Sequence, residues 1–132
     1  MLGELIGEGQ GKRTGRRVVC TEPNFKVEVS FESAEKIMGI DGFNIGTYVS
    51  WPKPDGSLYG EGEGVVATAE GMMTWKGSAV GHLSQTGAVS YRGSLSYLTS
   101  APKLSKLNGV AGVFELEVDA NGNTHAKIWE WK

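Results

Sequence analysis

Two glutamates with an unusual spacing are the first residues in this chain whose types could do chemistry. Glu61 and Glu63 alternate with three glycines in the stretch LYGEGEGVV, residues 58–66. On an extended strand they would share one face, about 7 Å apart. Inside a barrel their mutual repulsion would raise one pKa and create a general base. On an outward face they would be ordinary solubilising charges, which is the interpretation we favour.

The glycines of this stretch do not form a phosphate-binding loop. The Walker pattern requires Lys and then Ser or Thr after its last glycine, but Val65 follows Gly64. The spacing also departs from the dinucleotide-binding fingerprint. As a strand, the three glycines share one face, so either rings such as Trp75 or Tyr91 cover the bare backbone or the space is a ligand cavity. We favour aromatic cover.

The other polar candidates do not form a recognisable catalytic or metal motif. Arg92, in the middle of AVSYRGSLSY, would point either inward to a carboxylate or an anionic ligand, or outward with the serines that share its face. His82 and His125 match no metal motif, and Cys20 is distant from both in sequence. No serine is flanked as G-x-S-x-G. We therefore predict no metal site and no cofactor, and we assign no catalytic residue.

The one basic cluster is KRTGRR, residues 12–17. On a regular strand its charges divide between both faces, so they do not make the single stripe that a nucleic acid would need. We interpret the cluster as a solvated or salt-bridged rim of a barrel. Local contact with phosphate or nucleic acid is the alternative.

Composition limits the class of protein. The 132 residues suit one domain, 1–132, and the 20 glycines are about twice the usual share. The net charge of -2 gives no nucleic-acid or membrane signature. Cys20 is the only cysteine, which rules out an internal disulfide and favours a reducing compartment. Since the sequence shows neither a signal peptide nor an apolar run of bilayer length, we expect a cytoplasmic protein.

A period of two in the apolar residues predicts strands as the elements that position these candidates. In the third predicted strand, for example, the apolar face runs from Phe43 through Ile45 and Val49 to Trp51. Turn signals such as Asp55-Gly56 separate the runs. One short helical segment is predicted near residues 101–108, between an early proline and a following glycine. The predicted strands are 11–21, 25–34, 43–51, 57–68, 72–82, 87–99, 109–119 and 124–131.

These strands predict an all-β fold. Eight strands with one apolar face must fold on themselves or close in water. The last strand ends with AKIWEWK, and an exposed aromatic edge would invite aggregation. Pairing it with the first strand, around residues 12–20, removes both edges. We therefore predict an antiparallel meander closed into a barrel of about eight strands, with a β-sandwich as the alternative.

Three segments carry a resemblance to known proteins: GTYVSWPKPDGSLYGEGEGVV, GAVSYRGSLSY and KLSKLNGVAGVFELEVDANGNTHAKIWEW. They resemble a family of uncharacterised bacterial proteins of about this length. The general pattern is similar to the small barrels of the allene oxide cyclase-like, dirigent and calycin types. That resemblance implies a hydrophobic ligand in the lumen and, in many cases, an oligomer. No catalytic residue of those barrels matches here position by position.

Three functions are compatible with the sequence. The favoured one is a barrel that binds a small apolar or amphipathic molecule, because a face without side chains and several aromatic residues could line a pocket. The second is an isomerase or cyclase that uses Glu61 or Glu63 with Tyr48 or Arg92, so the question of an enzyme stays open. The third is a structural or oligomerisation domain without a ligand.

The candidate ligand-binding residues share a polar or aromatic side chain on a predicted strand. They are Tyr48, Glu61, Glu63, Trp75, Tyr91, Arg92 and Trp129. The expected partner is a small apolar ligand, with neither nucleic acid nor a membrane, and a homo-oligomer is left open.

Overall fold

The structure, a computed structural model that describes residues 2–132, is a closed barrel of eight antiparallel strands. Each strand pairs with the next in sequence, and the last strand pairs with the first. The predicted fold class is confirmed, and the β-sandwich alternative is wrong. The strands are β1 Leu2–Cys20, β2 Lys26–Ile37, β3 Ile40–Pro52, β4 Leu58–Thr68, β5 Gly71–Leu83, β6 Val89–Thr99, β7 Gly112–Val118 and β8 Asn123–Trp131.

The barrel closes at a different part of β1 from the part predicted. β8 pairs with residues 2–12, where Gly7 lies opposite Ile128 and Lys12 lies opposite Asn123. The prediction placed this closure at residues 12–20, because four glycines near the N-terminus weaken the strand signal there. Residues 13–20 of β1 pair with β2 alone. The β1–β2 hairpin therefore extends past the β7–β8 turn.

A 3₁₀ helix, Pro102–Gly109, joins β6 to β7 and closes one end of the barrel. Leu104 and Leu107 are completely buried in a cluster with Tyr97 and Ile128. The helical segment predicted near residues 101–108 is confirmed. We call this end the base, and we call the opposite end, where the β1–β2, β3–β4, β5–β6 and β7–β8 turns lie, the mouth. Within residues 2–132, no helix is long and apolar enough to cross a membrane.

The alternation of β3 is the reverse of the prediction. Asn44 is inside and only 1% exposed, whereas Phe43 and Ile45 are on the outer face and 46% and 56% exposed. The β2–β3 turn sets this register, with Ile37 opposite Ile40. The outer face of this region is therefore apolar, and the question of a homo-oligomer stays open. Neighbouring strands add exposed apolar side chains: Val65, Met72 and Leu98.

Candidate functional site: the barrel lumen

Aromatic rings lie over the bare glycines of the inner face. A Cβ atom on Gly64 would come within 2.6 Å of the Trp75 indole, and a Cβ atom on Gly46 would come within 2.7 Å of the Phe31 ring. A Cβ atom on Gly81 would come equally close, at 2.6 Å, to the Tyr91 ring. Real Cβ atoms do not approach other atoms so closely, so only glycine leaves room for these rings. Ring packing therefore explains these three glycines of the inner face.

The rings do not fill the lumen completely. A cavity of about 80 Å³ is left between them. This is smaller than the ~150 Å³ apolar cavity known to hold benzene and well below the roughly 300–1,000 Å³ of usual ligand pockets. The cavity can hold a few waters or a slender ligand. The side chains that define its length are Glu35, Ile37, Asn44, Tyr48, Trp75, Tyr91 and Tyr97.

The predicted site residues separate into two groups. Tyr48, Trp75 and Tyr91 all line the cavity. The four others lie on the outer face and are not brought together with them. Glu61 is exposed, although it borders the cavity, and Glu63 lies 4.0 Å from Lys76. Arg92 forms a 2.6 Å ion pair with Glu117, and Trp129 lies opposite Val113 on β7.

A chain of hydrogen bonds crosses the apolar lumen and ends at a carboxyl group. Trp75 Nε1 donates to Asn44 Oδ1 at 2.7 Å, and Asn44 Nδ2 donates to Ser33 Oγ at 3.3 Å. Ser33 Oγ then donates to Glu35 Oε1 at 3.3 Å. Because the indole N–H is only a donor, the direction of the chain is fixed, and every donor points towards Glu35.

Glu35 has one oxygen without a partner. Of all buried side-chain nitrogen and oxygen atoms in residues 2–132, only Glu35 Oε2 lacks a hydrogen bond. Burial raises the pKa of this carboxyl group to about 7, and the Ser33 hydroxyl only partly opposes the shift. Gly9 leaves room for the carboxyl group, since a Cβ there would lie 2.6 Å from Glu35 Cδ. At neutral pH the group is thus part protonated and part ionised, and it can donate or accept a proton.

Two tyrosines lie at the mouth end of the cavity. The Tyr91 hydroxyl donates to Ser50 Oγ at 3.1 Å, and the Tyr48 and Tyr91 rings meet edge to face at 5.6 Å between centroids. Burial raises the pKa of Tyr48, and the neighbouring Tyr91 adds to the shift. Both hydroxyls therefore stay protonated at physiological pH and act as hydrogen-bond donors.

Sequence reasoning missed Glu35, the residue with the most unusual environment in the lumen. The predicted second strand ends at residue 34, so the prediction assigns the following residues to neither the inner nor the outer face of a strand. A strand that continues to Ile37 places Glu35 on the same face as Phe31 and Val29. A carboxylate on an apolar face is the signal that could have identified it.

Comparisons with known proteins identify the fold but no family. No family model matches the chain, and a search of curated proteins gives no match. A protein of unknown function from Clostridium acetobutylicum is similar over 98% of this chain and 97% of its own, with a TM-score of 0.84 and 10% identity. A β-barrel-like protein from Acinetobacter baumannii is similar over 100% of this chain and 96% of its own, with a TM-score of 0.83 and 12% identity. An enzyme from Penicillium herquei is similar over 98% of this chain and 95% of its own, with a TM-score of 0.68 and 14% identity. At these identities, the similarity shows a shared small-barrel architecture and nothing more.

Proposed function

We propose that the protein binds a small, slender, mainly apolar molecule in its lumen, with a polar end group that hydrogen-bonds to Glu35. The observation that carries this proposal is the buried, unpartnered Oε2 atom of Glu35 at an apolar cavity. Leaving such an atom unpaired costs about 1–3 kcal/mol, or more when the group is charged. A ligand that brings a hydroxyl or amine group would recover that free energy.

The shape of the cavity limits the ligand. Its lining reaches from Glu35 and Ile37 on the base side to Tyr91 near the mouth, although its volume is only about 80 Å³. The cavity is therefore long and narrow, and it suits an unbranched chain better than a ring. Apart from the hydrogen-bond chain at Glu35, the tyrosine hydroxyls, and Glu61 and Ser78 at its border, its walls are apolar. The structure thus favours an apolar body with a polar group at the end that meets Glu35.

Straight-chain primary alcohols of two to six carbons are the direct test. The Trp75 indole N–H reports on the lumen because its ring lines the cavity and bonds to Asn44. We expect saturable shifts of the Trp75 indole NMR signal on titration with these alcohols. The tryptophans of the outer face, Trp51, Trp129 and Trp131, serve as internal controls whose signals stay constant.

Filling the lumen is expected to abolish this binding. Ala79 lines the cavity and is 8% exposed, so Ala79→Leu places a branched side chain in the space that the ligand would occupy. Ala67→Leu is the matched control, because Ala67 is exposed on the outer face of the neighbouring strand. The titration should lose its Trp75 response in the first variant and keep it in the second.

Overpacking a core commonly costs about 1–3 kcal/mol, so Ala79→Leu must first be shown to fold. Ala126→Val, at another lining position, makes the same test with a smaller change. The proposal fails if no alcohol shifts the Trp75 signal of the wild type, or if a folded, filled variant binds as well as the wild type.

A second candidate function is catalysis by proton transfer. A carboxyl group with a pKa of about 7 in a water-poor lumen is well suited to act as a general base. The similar barrel from Penicillium herquei is described as an enzyme, which makes the architecture compatible with catalysis. Glu35→Gln tests the second function, because an enzyme that uses Glu35 as its base loses turnover in this variant and still binds its ligand.

The finer expectations from the sequence belong to the same proposal. Relationship to allene oxide cyclase-like or calycin barrels is supported by the closed meander and by the aromatic lumen. A cytoplasmic location is supported by the single cysteine, Cys20, which forms no disulfide.

A further inference from the structure

Two arginines at the mouth of the barrel, Arg13 and Arg16, have no ionic partner among residues 2–132. Arg17 pairs with Glu28 at 3.4 Å, and Arg92 pairs with Glu117 at 2.6 Å. For Arg13 and Arg16, in contrast, no carboxylate among residues 2–132 lies within 4.0 Å of the guanidinium group. Arginine is always charged at physiological pH. Arg16 is exposed and Arg13 is half-buried, so both guanidinium groups are accessible to an external anion.

A β-bulge places both side chains on the inner face of β1. Residues three apart on a regular strand point to opposite faces. The register shifts between Arg13 and Gly15, so that Arg13 lies opposite Phe31 and Arg16 lies opposite Val29. Phe31 and Val29 are both buried and point inward. The cluster does divide between two faces, as expected from the sequence. The bulge changes which residues share a face, because it brings Arg13 and Arg16 together on the inner one.

Arg16 is within reach of the cavity. Val29, its partner on β2, lies opposite Tyr48 on β3, and Tyr48 lines the cavity. Two strand spacings separate Arg16 from Tyr48, roughly 10 Å between backbones, and an arginine side chain can cover most of that distance. The positive charges of Arg13 and Arg16 both act on the Tyr48 hydroxyl and lower its pKa, against the larger effect of burial.

Arg13 lies across the rim of the mouth. Its backbone N–H donates to Gly122 O at 2.7 Å, in the β7–β8 turn. Its Nε and Nη2 atoms lie 3.3 Å from the position that a Cβ atom on Gly122 would take. A side chain at Gly122 would therefore press on Arg13 and require the guanidinium group to shift by a few tenths of an ångström. Arg13 and Arg16 thus approach the mouth along the inner face of the long β1–β2 hairpin.

The carboxylates at the mouth are engaged elsewhere. Asp119 accepts hydrogen bonds from the backbone N–H groups of Asn121 and Asn123, which hold the β7–β8 turn. Asp55 accepts bonds from Ser57. Glu28 is paired with Arg17, and Glu22 lies in the exposed β1–β2 loop, not within 4.0 Å of either arginine. The fold therefore supplies the two arginines with no anion of its own.

We propose that Arg13 and Arg16 bind the anionic group of the ligand, so that the lumen takes an organic anion with a slender apolar chain. This inference rests on the proposed function and names its substrate class. Arginine binds carboxylate groups with paired, charge-assisted hydrogen bonds. The anionic group lies at the mouth near Tyr48, and the chain enters the cavity. The polar group at the other end of the chain pairs with Glu35, away from the negative charge.

The test compares two probes with the same number of carbons, the anion hexanoate and the neutral alcohol 1-hexanol, by titration of the Trp75 indole NMR signal. We expect hexanoate to bind wild-type protein at least about tenfold more tightly, because charge-assisted hydrogen bonds are the stronger class. The double variant R13Q/R16Q should lose about tenfold in hexanoate affinity and keep its affinity for hexanol. R17Q is the matched control on the same strand, since Arg17 points outward, and it should bind both probes as the wild type does.

The outcomes separate the two proposals. If neither probe shifts the Trp75 signal, the proposed function fails. If hexanol binds and hexanoate binds no better, or if R13Q/R16Q binds hexanoate normally, only the arginine proposal is overturned. If the double variant does not fold, the salt dependence of binding to the wild-type protein tests the arginine proposal instead. Raising NaCl from 50 to 500 mM should weaken the binding of hexanoate and leave that of hexanol unchanged. Equal salt dependence of the two probes also overturns the arginine proposal.

Discussion

Replacing Glu35 with glutamine is expected to stabilise the protein at pH 8 by about 3 kcal/mol. Burial raises the pKa of the Glu35 carboxyl group from 4.5 to about 7. The folded protein must therefore hold a buried, incompletely paired charge at pH 8, whereas the unfolded chain exposes that charge to water. Glutamine has nearly the same shape, accepts the Ser33 hydrogen bond in the same way and carries no charge. The variant removes the cost of ionisation and keeps the end of the hydrogen-bond chain.

The sign of the pH dependence follows from the same shift. Below about pH 4.5, Glu35 is protonated in both the folded and the unfolded state, so it imposes no penalty. As the pH rises from about 4.5 to about 7, the unfolded chain releases this proton and the folded protein keeps it, so the free energy of unfolding falls. Above about pH 7 the penalty is constant. The stabilisation by Glu35→Gln should therefore appear over this interval and be complete at pH 8.

Urea unfolding of both proteins at intervals from pH 4 to pH 8 measures this effect. Glu61→Gln is the matched control, because Glu61 is an exposed strand glutamate on the outer face. It should leave the pH profile of the wild type unchanged. A ¹³C titration of the Glu35 side-chain carboxyl group gives its pKa independently. Parallel stability profiles for wild type and Glu35→Gln, or a Glu35 carboxyl group that titrates near pH 4.5, would contradict the assignment.

The fold could be predicted from the sequence because its signals are local. Strict alternation in β2, β6 and β7 identifies strands without reference to their neighbours. Turn residues such as Asp55-Gly56 and Asn121-Gly122 fix where adjacent strands reverse, and Gly56 and Gly122 do adopt positive φ. The need to protect the last strand then implies closure. Each of these steps depends on residues within a few positions of one another.

The inner surface could not be predicted in the same way, because it depends on which face each strand turns inward. In β3 the larger apolar side chains, Phe43 and Ile45, face outward, while Asn44 faces the lumen. The barrel interior at this level already contains the Phe31 and Trp75 rings, so only small or hydrogen-bonded residues fit from β3. Long-range packing thus overrides the local alternation.

The mouth arginines were missed for a different physical reason. A bulge at Thr14 changes the phase of β1, and no residue type in KRTGRR signals such an insertion. The volume of the cavity could not be predicted from the sequence either. It is the small difference between the volume that the glycines leave free and the volume that the aromatic rings fill. The sequence identifies the glycines and the rings but does not give that difference.

Substitution of one of those glycines, Gly64→Ala, is expected to destabilise the protein by about 3 kcal/mol. The added Cβ would lie 2.6 Å from Trp75 Cε2, so the indole must move. Gly64 lies directly opposite Trp75 in the β4–β5 register, and the ring has little room to retreat because it also packs on Phe31, with 6.2 Å between their centroids. Movement of the indole also breaks the 2.7 Å bond from Trp75 Nε1 to Asn44, which leaves buried polar groups unpaired.

The matched control is Gly109→Ala, at the end of the 3₁₀ helix. Nothing lies within 4 Å of a Cβ atom there, and the backbone needs no positive φ. An added methyl group restricts the unfolded chain, so this variant should be neutral or slightly stabilising. Urea unfolding gives both free energies, and the chemical shift of the Trp75 indole N–H reports whether its hydrogen bond survives. If Gly64→Ala is as stable as the wild type and keeps that signal, the ring does not cover the glycine. The glycine-rich face of β4 would then be open space, and the lumen would be wide enough for a larger ligand than a single chain.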